Sequence, residues 1–342
     1  MRIAWFSPLP PARTGIADYS ASVLPLLDAA GLAIDRFEER NAHDFVWRHR
    51  RAAYDLVVYQ LGNAPWHDFM WGYLFQYPGL VVLHDAMLHH ARAAQLLRAR
   101  RVDDYRAEFA WNHPEAPPAA AELAVEGLGG PALYFWPMTR TVIDSARAVA
   151  VHNDFVAGEL RVRHPHARIE TIRLGTAARQ PSPGARAQIR RSLDIPAESI
   201  VFVSFGLVTA EKRIEPILGA LGALAARGLN VHLLVVGASD LRGLDELIAA
   251  SGAAGRVHAT GYVDGDRIAD YLSAGDVSLS LRWPTAEETS ASWLDSLQAG
   301  KPTIITSLPH TAGIPALDAT TWRPTRRSCM ASAHRHVTPQ DA

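Results

Sequence analysis

Glu287 and Asp295 stand eight residues apart in a segment whose residue types suit a ligand rich in hydroxyls. Glu287 falls in a loop just after a strand-like run from Asp276 to Leu281. Thr289 or Ser290 can cap the helix that follows, which puts Asp295 about two turns inside it. Carboxylates are strong acceptors for sugar hydroxyls, and a nucleotide sugar carries two sugar rings roughly a diphosphate apart. The plainer reading makes Glu287 and Glu288 acids that complement a helix dipole. Lys212 follows the apolar run ending at Phe205 and lies near a helix start, where an ammonium and free N–H groups together neutralise a diphosphate. A solvated lysine is the alternative there. His84 and Asp85 close the apolar run Gly79–Leu83, and Gly15 precedes a helix carrying Val23, Leu24 and Leu27, so that backbone can approach an anion closely. The pattern Gly-x-Gly-x-x-Gly is absent, which leaves a nicotinamide dehydrogenase without support. His84, His89, His90 and His152 lack the spacing of a zinc site, and a metal is not expected.

Placing these residues requires strands that end beside them. Short apolar runs alternate with amphipathic helical patterns, the rhythm of parallel strands joined by helices. One series has strands near residues 2–6, 56–60, 80–83, 148–151 and 169–172; the other near 200–205, 231–236, 257–260, 277–281 and 303–305. Between them, 174–198 is rich in Pro, Gly, Ser and Arg and reads as a linker. The expected architecture is α/β, with doubly wound domains at 1–173 and 199–322 and a cleft between the carboxyl ends of their sheets. The stripe Trp66, Phe69, Met70, Tyr73, Leu74 and Tyr77 recurs at helical spacing and reads as core.

A chain of 342 residues is long enough for two domains with separate cores. Its 34 basic and 35 acidic residues give no general attraction to nucleic acid. The single cysteine, Cys329, excludes an intramolecular disulfide and makes a reducing compartment the default. The opening residues hold too short an apolar core for a signal peptide, and no run is long enough to span a bilayer, so a cytoplasmic protein is expected. All basic residues except Lys212 and Lys301 are arginine, and with the many alanines this suggests a GC-rich bacterial genome.

Glu-x7-Asp followed by Ala299-Gly300-Lys301-Pro302 resembles the signature of glycosyltransferase family 4, retaining enzymes of the GT-B architecture, with Asp295 in place of the second Glu. Thr14-Gly-Ile-Ala-Asp-Tyr-Ser20 is similar to the family's amino-terminal loop, Val58–Asn63 and His84 to its next two strand ends, and Gly261-Tyr262-Val263 to its base-binding turn. The resemblance implies that Gly15, Lys212, Arg213, Tyr262, Glu287, Glu288, Thr289 and Asp295 bind the donor. It implies that Thr14, Asp18, Tyr19 and Asn63 meet the acceptor, and that His84, Lys212 and Glu287 are catalytic. Within it, Glu287 holds the hexose, Asp295 the ribose and Lys212 the diphosphate. The family's phosphate-binding arginine is replaced by Leu207, for which Arg213 or Arg282 would have to compensate.

The implied function is transfer of a hexose from a nucleotide sugar to a glycan or lipid-linked acceptor with retention, as in bacterial polysaccharide biosynthesis, and without metal or other cofactor. Two other readings are an inactive nucleotide- or glycan-binding protein and a GT-B nucleotide-sugar epimerase. Residues 323–342 lose apolar periodicity where family members continue with helices, so a truncated or frameshifted end with an irregular tail is expected. Arg161 to Arg191 holds eight arginines against the single acid Glu170, a solvated linker or a weak peripheral contact with the inner face of the membrane.

Overall fold

The computed structural model describes residues 1–176, 178–311, 314–317 and 321–323. It divides into two compact units, Met1–Leu174 with Pro284–Thr289, and Gly175–Trp283 with the described residues from Ser290 onward. The expectations for Cys329 and for the tail beyond Arg323 fall outside the described residues.

In the first unit β1 (Arg2–Phe6), α1 (Gly15–Ala29), β2 (Ala33–Phe37), α2 (Asp44–Arg51), β3 (Leu56–Leu61), α3 (Met70–Gln76) and β4 (Leu80–Leu83) follow one another. After them come α4 (His89–Arg98), α5 (Val102–Asn112), α6 (Ala119–Val125) and α7 (Arg140–Ser145), then β5 (Ala148–Val151), α8 (Asp154–Arg163) and β6 (Ile169–Thr171). The six strands form one sheet in the order β2-β1-β3-β4-β5-β6, and every pair is parallel. Side chains of β1 alternate between two cores, as a period of two requires. Ala4 and Phe6 join Phe37, Phe45, Tyr59 and Leu74, whereas Ile3 and Trp5 join Leu24, Val58 and Val82. Of the aromatic stripe, Met70 and Leu74 are buried and Phe69, Tyr73 and Tyr77 pack on the same core, while Trp66 is exposed. Helices α4 to α6 enclose a further small core around Tyr105, Phe109 and Met138.

β2 was not among the expected strands. Its sequence Ala-Ile-Asp-Arg-Phe has no continuous apolar run because it is an edge strand, and Asp35 faces Arg2, Arg48 and the Tyr54 hydroxyl instead of the core. Such edges are recognised poorly from composition.

The second unit contains α9 (Ala185–Ser192), β7 (Ile200–Phe205), α10 (Ile214–Ala226), β8 (Val231–Val236), α11 (Leu244–Ala250), β9 (Val257–Ala259), α12 (Ile268–Ala274), β10 (Val277–Ser280), α13 (Ala291–Gln298) and β11 (Thr303–Ile305). Its five strands, again all parallel, run in the order β11-β10-β7-β8-β9. β8 is buried throughout, with Leu233 and Val235 in one core and Leu234 and Val236 in the other. Among the described residues no helix is long and apolar enough to cross a membrane.

The stretch 174–198 is more than a connection. α9 packs on α12 and buries Ile189, and Ile195 joins the same core. Arg190, 4 % exposed, donates to the carbonyls of Ala274, Ala197 and Ser199 and pairs with Asp276 at 2.7 Å. The neighbouring arginines are likewise tied to their own chain: Arg161 to the Ile169 carbonyl, Arg173 to Asp154, Arg179 to Asp295 and Arg186 to Asp276. Of these, only Arg190 is buried; the Arg173–Asp154 pair is largely exposed. Burial alone would raise the Asp276 pKa, but the Val201 N–H and the Arg186 and Arg190 guanidiniums outweigh it and hold the carboxyl below its usual range. Its contribution to stability is therefore present above the unfolded carboxyl pKa and is lost as pH falls through the lower folded value. Removing Arg190 strands part of this network, so Arg190→Leu should destabilise the second unit by about 3–5 kcal/mol. Urea unfolding followed by amide exchange in β7 and β10 measures this loss, and the deficit should shrink as Asp276 protonates.

Candidate functional site

In an open parallel sheet, ligands meet the carboxyl ends of the strands where the strand order reverses. In the first sheet that point lies between β1 and β3, and in the second between β7 and β10. The loops there carry Gly15, Asn63, Lys212 and Glu287, while His84 follows β4 and Tyr262 follows β9.

After β1, Thr14 takes an extended backbone and its hydroxyl accepts from the Ala17 N–H at 3.0 Å, so it caps α1. Gly15 opens that helix with free space where a Cβ would be, and Asp18 is exposed on its first turn. After β3, Gly62 is confined: a Cβ there would lie 2.5 Å from Ile16 and 3.0 Å from Asp85 Oδ2. Asn63 braces these loops. Its N–H donates to Asp85 Oδ2 at 2.6 Å and its Oδ1 accepts from the Ala91 N–H at 2.9 Å. That side-chain oxygen is thus engaged with the backbone of α4.

His84 follows β4 at the same edge. Its Nε2 stands 2.8 Å from Gln60 Oε1 and its Nδ1 3.0 Å from His152 Nε2, while His152 Nδ1 stands 2.9 Å from the Ile172 carbonyl. The Tyr19 ring lies steeply inclined to both imidazoles, with centroids 5.1 and 5.8 Å away. Burial pushes the His84 pKa well below the usual histidine value, and His152 and His67 add to the effect. Burial lowers His152 as well. His152 and Gln60 were not among the candidate residues; their signal lies in the ends of β5 and β3, where polar side chains interrupt apolar runs.

The Pro284–Thr289 segment groups with this unit. The Ala86 N–H donates to the Ala286 carbonyl at 2.8 Å, and Asn153 Nδ2 lies 3.4 Å from both the Glu287 carbonyl and Thr289 Oγ1. Glu288 accepts from the Thr285 hydroxyl and the Ala286 N–H, each at 3.0 Å, and so braces its own turn. Glu287 sits at φ +58°, a left-handed backbone unusual for a long side chain. Burial raises its carboxyl pKa, Arg163 opposes this, and Glu159 and Glu288 reinforce it.

In the second unit Gly206 ends β7 at φ +100°, and a Cβ there would lie 2.9 Å from Lys212 Nζ and 3.5 Å from the Ser292 side chain. Lys212, 7 % exposed, donates to the Phe205 carbonyl. Gly237, at the end of β8, comes so close that a Cβ would meet the Gly206 carbonyl at 2.3 Å. Ser290, and not Thr289, caps α13 by accepting from the Trp293 N–H at 3.3 Å, and its hydroxyl lies 3.0 Å from that of Ser292. A cation, bare backbone and a helix amino end therefore meet at one strand terminus. Arg213 follows Lys212 in a left-handed conformation, and Tyr262 is half exposed beyond the Gly237–Gly261 bridge. Leu207 is half exposed in the place expected for an arginine.

Asp295 is buried on α13, where the Thr176 hydroxyl and Arg179, at 2.8 Å, both bind Oδ1. A ribose can engage that oxygen only by displacing them. Among the described residues no group of three or more His, Cys, Asp or Glu side chains could hold a metal ion.

Two all-parallel sheets with helices, each with a polar loop cluster at its strand termini, define the α/β architecture of GT-B proteins, and solved structures bear this out. Sucrose-phosphate synthase from Thermosynechococcus elongatus is 18% identical with a TM-score of 0.63, over 94% of this chain and 87% of that one. HepE from Anabaena in complex with UDP-glucose is 16% identical with a TM-score of 0.56, over 90% and 80%. WaaG, a glycosyltransferase involved in lipopolysaccharide biosynthesis, is 14% identical with a TM-score of 0.54, over 89% and 80%. Residues 197–321, which span the second sheet, match the family model described as Glycosyl transferases group 1. Comparison with curated proteins gives no match.

The strained, desolvated Glu287 yields a prediction. A carboxyl whose folded pKa is raised destabilises the fold as pH climbs above its unfolded value. Glu287→Gln removes that penalty, so it should raise the melting temperature at pH 7 by a few degrees, roughly 2–4 °C if about 1 kcal/mol is recovered. At pH 4, where the native acid is largely protonated, the two melting curves should converge; a gap that persists there would contradict this account.

Proposed function

We propose that the protein is a glycosyltransferase that moves a hexose from a nucleotide sugar to a glycan or lipid-linked acceptor with retention of anomeric configuration. The observation that carries this reading is the cradle at the end of β7, where Gly206, Lys212 and the Ser290-capped start of α13 converge. An ammonium and backbone N–H groups suit a diphosphate, and the missing side chain at Gly206 lets Lys212 and the start of α13 close on the end of β7. The group 1 glycosyltransferase match over 197–321 supports the same assignment.

In this mechanism the bond between the anomeric carbon and the leaving phosphate oxygen breaks. The acceptor oxygen forms its bond to that carbon on the same face, and the acceptor's proton passes to the departing phosphate. Lys212 and the α13 amino end stabilise the charge growing on the phosphate. Arg213 adds a second cation on the same loop, and Tyr262 lies beside the turn assigned to the base. In the first unit Glu287 accepts from hexose hydroxyls, its backbone held by Asn153, and His84 presents a neutral imidazole to the sugar. Thr14, Gly15, Asp18 and Tyr19 line the start of α1, where the acceptor is assigned. The donor is the sole cosubstrate in this scheme, and the reaction takes place in the cytoplasm.

A second reading, binding without turnover, is favoured by Leu207, which leaves the cradle without the guanidinium expected there. Calorimetric titration with UDP, GDP and ADP sugars, followed by product analysis with the best binder, separates the two. HepE was solved with UDP-glucose, which makes UDP-glucose the first donor to try. Lys212→Ala should weaken nucleoside diphosphate binding by about 1.5–3 kcal/mol, the cost of a charge-assisted hydrogen bond, with the fold intact. Unchanged affinity in the folded variant would remove Lys212 from the site, and binding without product would leave the second reading standing.

A further inference from the structure

The histidine pair at the edge of the first sheet has a hydrogen-bond order that can be deduced. The Ile172 carbonyl can only accept, so His152 Nδ1, 2.9 Å away, carries a proton. Neutral His152 then has a bare Nε2, which accepts from His84 Nδ1 at 3.0 Å. His84 Nε2 is consequently an acceptor as long as the ring is neutral, yet Gln60 Oε1, also an acceptor, faces it at 2.8 Å. Gln60 is fully buried, and its Nε2 has no hydrogen-bond partner among the described residues. One half-turn of the Gln60 amide resolves both mismatches, placing NH2 against His84 Nε2. The carbonyl takes the empty position, and an under-satisfied carbonyl is more common in proteins than an orphaned N–H.

The other solution is an imidazolium, at His84 or at His152, that makes His84 Nε2 donate to Gln60 Oε1 and leaves the amide nitrogen orphaned. The titratable groups around the ring do not favour it. His152 and His67 both oppose positive charge on His84, burial lowers the pKa of His84 and of His152, and the Asp85 carboxylate accepts from the Asn63 N–H.

We propose that Gln60 and His152 are positioning residues for His84: His152, anchored on the Ile172 carbonyl, holds the His84 proton on Nδ1, and the Gln60 amide donates to Nε2 and fixes the ring plane. The proposal deepens the transferase reading, because it defines what a substrate hydroxyl meets. Held in this plane, the neutral ring carries its proton on Nδ1, so it has none to give a substrate hydroxyl from Nε2. An imidazole with its proton on Nδ1 is the less common form in water, so the relay selects a state that the free side chain seldom holds. Orientation of one histidine by a second hydrogen-bonded group is a general device for fixing tautomer.

The test reads the tautomer directly. Long-range proton–nitrogen spectra of the full-length protein labelled in its histidines, assigned with His84→Gln and His152→Gln, should show both residues neutral and protonated at Nδ1 from pH 8 to pH 7. A proton on His84 Nε2 at pH 7, in either tautomer or cation, overturns the proposal. Gln60→Glu replaces the donor with an acceptor and should bring His84 to the doubly protonated form at pH 7. Should that variant fail to fold, His152→Gln, which keeps an acceptor towards His84, and His152→Leu, which does not, carry the test. The glutamine should retain the Nδ1 proton on His84 and the leucine should lose it; the same His84 spectrum in both overturns the idea. In transfer assays His152→Leu should lower kcat roughly tenfold with KM for the donor within about twofold, and His152→Gln should recover most of the loss. Equal kcat in the two variants overturns the positioning role. If the wild-type protein transfers no sugar, the function fails while the tautomer spectra still decide the proposal.

Discussion

Parallel pairing of the strands in each sheet is the constraint on which the rest depends. Parallel strands deliver all their carboxyl ends to one edge, where the chain must leave the ladder and turn into a helix. Each departure exposes backbone N–H groups and places a polar residue beside its neighbours from other strands. Gln60, His84, His152 and Ile172 are distant in sequence, yet the registers of β3 with β4, β4 with β5 and β5 with β6 make them adjacent. Gly206 and Gly237 are brought together in the same way by β7 and β8. The cores hold these edges in register, since a slip by one residue would exchange Phe6 and Trp5 between two cores of different composition.

The two clusters meet opposite electrostatic demands. At the end of β7 the structure gathers positive character: Lys212 and the amino end of α13, packed on the backbone of Gly206. At the edge of the first sheet it withholds charge. Burial lowers the His84 and His152 pKa values and raises that of Glu287, so desolvation opposes charge on all three. A diphosphate requires the first kind of environment. Recognition of sugar hydroxyls is better served by the second, where each unpaired group is costly and a wrong stereochemistry leaves one unmatched.

Legibility in the sequence followed the same physics. Inner parallel strands such as β4 and β5 are continuous apolar runs and could be read from composition, whereas β2, an edge strand with Asp35 and Arg36 at its centre, could not. α9 escaped notice because its buried face includes Arg190, a residue that composition assigns to solvent. At the site, glycine and lysine after β7 were recognisable because their chemistry is local. The partners of Asp295 were not, since Thr176 and Arg179 lie more than a hundred residues away and nothing in Glu-x7-Asp announces them. Gln60 and His152 are of the same kind, ordinary residues in the sequence that acquire a role through strand register.

Glu287 shows where local preference and function diverge. A glycine or asparagine would hold its left-handed backbone with less strain, and an amide would avoid the desolvated carboxylate. The fold sustains both costs through neighbours that have little freedom: Asn153 on the backbone and on Thr289, Glu288 clamped on Ala286, and Ala86 paired with the Ala286 carbonyl. These contacts fix the backbone of the turn, and burial partly dehydrates the carboxylate. A group already placed and partly dehydrated before a hydroxyl arrives leaves less reorganisation to be done on binding. Stability lost at one residue thereby becomes preorganisation at the place where, on this reading, the sugar is held.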